Sequence, residues 1–237
     1  MEDISGSYSR VQIELFPYER RALETLEREF RIERETVVGF AQSLNALRKA
    51  FEEILGGSGQ EFRGGRIVIM GLINHAHHLF AGGLQALEAG NGVVWSACVR
   101  GLMETFGACV MIAERPESVT NHLVHVPAGK LLNAAERGQP GLGADIKRLH
   151  KIVHPGSGAI HSGFKVVNDK DRSLAFHLGL RRPEPSDGRE GVIVLANLAL
   201  YLEEKLVALA RNEKVLSAGK VVMVRRDDAD PIQGEAI

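Results

Sequence analysis

Cysteine is almost missing from this chain: Cys98 and Cys109 are the two among 237 residues. They stand eleven residues apart in one apolar stretch, about 16 Å along a helix axis, so they cannot pair within one helix and read as buried apolar side chains. Charge of one sign is missing too. A formal net charge of -1 and a pI near 6.8 give no global field toward nucleic acid or an anionic membrane, so any polyanion site must be a local patch. The opening "MEDISGSYSR" has neither a basic n-region nor an apolar core, so no secretory signal is visible and a reducing cytoplasm is the expected compartment. Neither "GGSG" from Gly56 nor "PGSG" from Pro155 has the P-loop lysine and hydroxyl in place, and no cofactor is expected. Internal repeats and low-complexity segments are absent as well.

What the chain does have is apolar content, 44% of residues, ample for a core. From Leu23, apolar residues recur at Leu26, Phe30, Val37, Phe40, Leu44, Leu47, Phe51 and Ile54, with Glu33 on the seam. This heptad stripe predicts one long helix over about 18 to 55, roughly 55 Å, opened by Pro17 and stopped at Gly56, or two helices broken at Glu33. The stripe must be covered, either by a partner chain in a coiled coil or by the protein's own bundle; a homodimer is the reading placed first.

Two more apolar segments follow, "FRGGRIVIMGLINHAHHLFAGGLQALEAG" and "NGVVWSACVRGLMETFGACVMIAERPE", separated by Gly90, Asn91 and Gly92. They are expected to form an antiparallel pair of core helices. Val93 to Ala113 is long enough to span a membrane, but Arg100 and Glu104 fall at its middle, where each charge would cost about 3 kcal/mol or more in lipid, so no membrane partner is expected.

From Pro116 the character is mixed, with a helix over Ala128 to Arg137, a break at "GQPGLG", and a helix from about Ala144 to His154 stopped by Pro155 and Gly156. "FKVVNDKDRSLAFHLGL" reads as a hairpin near 164 to 178, "RRPEPSDGRE" as an exposed loop, and Gly191 to Arg211 as a last amphipathic helix. Val221 to Val224 reads as an edge strand before a charged tail. The fold class is thus mainly α: a helical bundle with a long N-terminal helix and a small β-hairpin. Residues 1 to 60 would carry the long helix and a coiled-coil or dimerisation segment, 61 to 212 the bundle, and 213 to 237 the strand and tail.

Arg100 and Glu104, four apart, lie on one face of an otherwise apolar helix. Two readings are open: an internal salt bridge pinning the bundle, or an arginine held by a carboxylate and aimed at an anionic substrate. The histidines form two groups, His75, His77 and His78, and His150, His154 and His161. Zinc asks for a further ligand, and His-x-x-x-His here lacks the glutamate of the zinc protease motif, so no metal is expected. Lys147, Arg148, Lys151, Lys165, Lys170, Arg172, Arg181 and Arg182 outnumber Asp145, Asp169 and Asp171. That local basic region, with Ser157 in its glycine-rich turn, is either a solvated face or a hold on a phosphate backbone.

"R-x-x-x-E" in "VRGLMETF", the break at "ERPES" and the later "RLHKIVHPGSG" together resemble an uncharacterised bacterial helical family similar to the HEPN superfamily. The resemblance covers about residues 65 to 210. It implies a helical bundle, often dimeric, and in many members a metal-independent ribonuclease with an arginine and a histidine separated by four to six residues. Arg148 and His154 match with five between. By this resemblance His154 would be the general acid or base at the ribose 2′-hydroxyl or leaving oxygen, and Arg148 would stabilise the scissile phosphate. Arg100, Glu104, Lys151 and Ser157 would support substrate binding. The chain departs from the pattern at Leu149, where a polar residue is common, and at Pro155, which puts His154 at a helix end. The expected function is a ribonuclease in a toxin or defence setting with RNA as partner. The alternative is a non-catalytic module binding a nucleotide or an unidentified protein partner.

Overall fold

The computed structural model describes residues 17–56, 63–142, 164–168, 173–176 and 185–220. Among these the chain is mainly α-helical, and the reason is visible helix by helix.

Helix α1, Pro17–Phe30, opens on a proline whose fixed φ suits a first turn. It ends because Arg31 adopts a left-handed φ of 51°, a conformation that cannot be propagated as a right-handed helix. The carbonyl of Glu33 then receives the N–H of Thr36 at 3.0 Å and of Val37 at 3.3 Å, and α2, Arg34–Gly56, begins. Of the two arrangements expected over 18 to 55, the chain adopts two helices, with the break at Arg31 to Glu33. Glu33 leaves the seam altogether: it is exposed, and its Oε1 accepts from Arg189 Nη2 at 2.8 Å.

The stripe on α2 is covered by the chain itself. Val37, Phe40, Leu44, Leu47 and Ile54 are all buried, none above 3% exposed. Their main cover is α6, Pro185–Ala210, which packs along α2 and also contacts α1, α3 and α4. Ser43 Oγ donates to Glu203 Oε2 of α6 at 2.6 Å, and the Phe40 ring meets Phe80 edge-on at 5.5 Å. Of the two covers expected for the stripe, the chain's own bundle supplies one.

Helices α3, Gly64–Glu88, and α4, Gly92–Glu114, are joined by Gly90 at a positive φ of 70°. Asn91 caps α4 by accepting the Val94 N–H on Oδ1 at 3.1 Å. By length and composition both helices could cross a membrane, a weak signal that core helices share; 39% and 61% of their most apolar windows are buried inside the fold. A 3-10 helix, Pro116–Leu123, leads on to α5, Ala128–Gly138. Helix α5 crosses α4 at Gly107, where a Cβ would sit 1.9 Å from the Leu131 carbonyl oxygen. Only a glycine permits that approach.

Helix α7, Glu213–Leu216, is capped by Asn212 and closes over the start of α3. Gly65 donates its N–H to the Ala218 carbonyl at 3.0 Å there. Arg66, 8% exposed, donates Nη1 to the Ile54 carbonyl at 3.4 Å, placing a cation at the C-terminal end of α2 where carbonyls lack intrahelical partners. Away from these helices, β1, Phe164–Asn168, pairs antiparallel with β2, Ser173–Phe176, with an irregularity between Val166 and Asn168.

Candidate functional site on the edge of helices α3 and α4

The apolar sequence of α4 buries most of its circumference, through Val99, Leu102, Met103, Phe106 and Cys109. Arg100 and Glu104 occupy the remaining strip. Arg100 Nε donates to Glu104 Oε1 at 3.0 Å, and the side chains are 21% and 27% exposed, so the pair is half-buried and reaches water. The spacing of four residues accounts for the contact, since it stacks the two side chains one turn apart. The pair is thus an internal salt bridge in its geometry, at the surface of the bundle and not within the core.

The neighbouring edge of α3 is fixed by two close approaches. A Cβ at Gly101 would lie 2.9 Å from Leu79 Cδ1, and one at Gly82 would lie 3.2 Å from Cys98 Sγ. These contacts set an antiparallel register in which, along the axes, His75 falls level with Thr105 and His78 with Leu102. The opposite side of the α3–α4 pair is closed by α6, where Leu195 meets Gly83 beside Cys98. His75 lies four residues before Leu79 and His78 four before Gly82. Helical spacing therefore puts both on the α4 edge of α3, on the side away from α6, and both are exposed. His77 points elsewhere: both of its ring nitrogens are buried.

Charge elsewhere on α4 is handled locally. Arg137 of α5 donates Nε and Nη2 to the two carboxylate oxygens of Glu114, at 3.3 and 2.8 Å. That bond, with the Arg137 charge, holds the Glu114 carboxyl below its ordinary range. Burial pushes the Cys98 thiol up and the Cys109 thiol up to about 12, so both behave as apolar side chains under neutral conditions. On the 3-10 helix, burial lowers the pKa of His122.

Of the site residues expected from the sequence, the structure brings Arg100 and Glu104 together. Arg148, Lys151, His154 and Ser157 lie outside the described residues, as do His150 and His161. Among the described residues, no group of three or more histidine, cysteine, aspartate or glutamate side chains is arranged to hold a metal ion. The buried Arg66 and the Ser43–Glu203 bond were not anticipated; each depends on a contact between helices far apart in the chain, which no local spacing reports.

No family model matches the chain, no curated protein matches it, and no solved structure matches it.

Proposed function

We propose that this chain is a HEPN-like helical protein acting as a metal-independent ribonuclease, in a toxin or defence setting. The observation that carries the reading is the sequence pair Arg148 and His154, five residues between them, in a basic stretch of a nearly neutral chain. In this mechanism His154 takes the proton from the ribose 2′-hydroxyl, or returns one to the leaving oxygen, and Arg148 offsets charge on the phosphate. Lys151 and Ser157 hold neighbouring phosphate oxygens. Arg100, oriented by Glu104, adds a positive group on the half-exposed strip of α4. A mainly helical bundle is compatible with the reading. Two copies of the chain would bring two such motifs together, and a homodimer in the cytoplasm is part of the proposal.

One observation favours a second reading. The Arg100 guanidinium is already bonded through Nε to Glu104 within its own helix, as a purely structural ion pair would be. On that reading the protein is a non-catalytic interaction or nucleotide-binding module. The deciding experiment compares wild type with Arg148→Ala and His154→Ala on a labelled single-stranded RNA, with and without EDTA. The ribonuclease reading expects EDTA-resistant cleavage that both substitutions reduce by about a hundredfold or more. Cleavage that is equally undetectable for all three proteins sinks it, and cleavage lost in EDTA alone points to a metal.

A further inference from the structure

The turn that follows the 3-10 helix presents an apolar surface to solvent. Leu123 and Val124 are 52% and 67% exposed, and Val124 is the most exposed large apolar side chain among the described residues. At Val124 the backbone leaves the 3-10 helix and runs extended, with φ −108° and ψ 165°, toward Pro127. The last described stretch of chain is anchored at the same place. Ala218 accepts the Gly65 N–H at 3.0 Å, and Gly219 turns beside it at a left-handed φ of 87°. A Cβ on Gly219 would run into Thr120 Cγ2 of the 3-10 helix. One on Gly64 would lie 3.6 Å from Leu123 Cδ1 and 3.8 Å from the Ala218 oxygen, so the apolar turn and the exit of the chain sit within 4 Å of one point. The apolar run Val221, Val222, Met223 and Val224 begins two residues beyond Gly219, outside the described residues. We propose that Leu123 and Val124 form the docking surface for this run of the protein's own chain.

Reach, composition and tethering select this occupant. An extended chain rises about 3.3 Å per residue, so the four residues from Val221 span roughly 13 Å, enough to cross both side chains from an exit this close. Four consecutive apolar side chains gain by leaving water, and Leu123 and Val124 offer an apolar surface with the same need. Arg225, Arg226, Asp227 and Asp228 then end the run, and their charges keep the chain beyond it in solvent. A second copy of the protein would have to be met by diffusion. A segment tied at Gly219 instead meets the turn at an effective concentration of about a millimolar or more, which favours it over any copy at micromolar concentration. The proposal uses none of the residues assigned to RNA cleavage, and it stands or falls separately from that reading.

The test uses the full chain, methyl-labelled at leucine, valine and methionine, and records nuclear Overhauser contacts by NMR. Contacts are expected between the methyls of Leu123 or Val124 and those of Val221, Val222, Met223 or Val224. Val124→Asp, at an exposed position, should remove them and move the methyl signals of 221–224 to the values of an unstructured peptide, while the buried Leu44 keeps its own. Trypsin cleavage after the exposed Lys220 should also accelerate in that variant by about tenfold, the scale of one apolar side chain leaving a contact. Absence of the contacts in wild type overturns the proposal. So do signals of 221–224 and a cleavage rate that Val124→Asp leaves unchanged, since the run would then lie elsewhere. Contacts seen only between labelled and unlabelled copies in a mixed sample give the surface to a second copy and overturn the assignment to the protein's own chain.

Discussion

Replacing Gly107 with alanine is a severe test of how α4 and α5 are packed. The added Cβ would meet the Leu131 carbonyl oxygen at 1.9 Å, its carbon at 2.6 Å and its Cα at 3.1 Å. All three are backbone atoms, so no rotamer change relieves the clash, and the helices must separate. Overpacking of this kind costs about 1–3 kcal/mol, and a rigid backbone neighbour puts Gly107→Ala at the upper end of that range. Gly39→Ala is the internal control: Gly39 is exposed within α2, and a Cβ there meets nothing within 4 Å. In that position alanine should stabilise by about 0.5–1 kcal/mol, through helix propensity and a less flexible unfolded chain. With a Tm change of roughly 2–4 °C per kcal/mol for a chain of this size, Gly107→Ala should melt about 5–10 °C below wild type and Gly39→Ala a few degrees above it. Thermal and urea unfolding followed by circular dichroism at 222 nm measure both. If the two substitutions shift stability in the same direction, or Gly107→Ala is neutral, the close α4–α5 crossing is wrong.

Two further outcomes follow from the titrating groups. Burial lowers the pKa of His122, so the unfolded chain takes up its proton first as pH falls below the ordinary value of 6.5. The unfolded state then binds more protons than the folded one. Stability should fall from about pH 6.5 downward and level off below the folded pKa, with a slope from this residue of at most about 1.4 kcal/mol per pH unit. His122→Gln should flatten that part of the profile in urea titrations; an unchanged slope would remove burial of His122 as its cause. Cys109, with its pKa pushed up to about 12, has a thiolate fraction at pH 8 roughly a thousandfold below that of a thiol at the ordinary value of 9.0. Ellman's reagent should therefore label Cys109 far more slowly in the native protein than in urea, and equal rates would contradict its burial.

Legibility in the sequence followed the range of the contact involved. The seam of α2 could be read because Val37, Phe40, Leu44, Leu47 and Ile54 repeat along one face, and all are buried. The partner that buries them could not, since it comes from α6. Arg100 and Glu104 were legible as a pair for the same local reason, their separation by one turn. The break at Arg31 was harder, because nothing but Glu33 on the seam announced it. Helix α6 shows the same limit from the other side. "PSDGRE" has loop composition, yet α6 starts at Pro185, six residues before the expected Gly191. Gly188 is tolerated there because a Cβ would lie 2.3 Å from the Phe30 ring of α1, so the absent side chain is what lets the two helices meet. The 3-10 helix over Pro116–Leu123 and the short α7 were likewise not foreseen, being held by contacts with the start of α3. The pair Arg148 and His154, proposed as catalytic, was a reading of resemblance and spacing, and it falls outside the described residues.

The central place of α6 also imposes an order on events at the ribosome. Ser43 and Glu203 are bonded across 160 residues of chain, and α6 is the shared neighbour of α1, α2, α3 and α4. At about 5–20 residues per second, the helix that covers the α2 seam is synthesised roughly 8 to 30 s after the seam itself. During that interval the seam lacks the part of its cover that α6 supplies, although Phe40 can already meet Phe80 of α3. A chain truncated before Pro185 would lack that cover permanently.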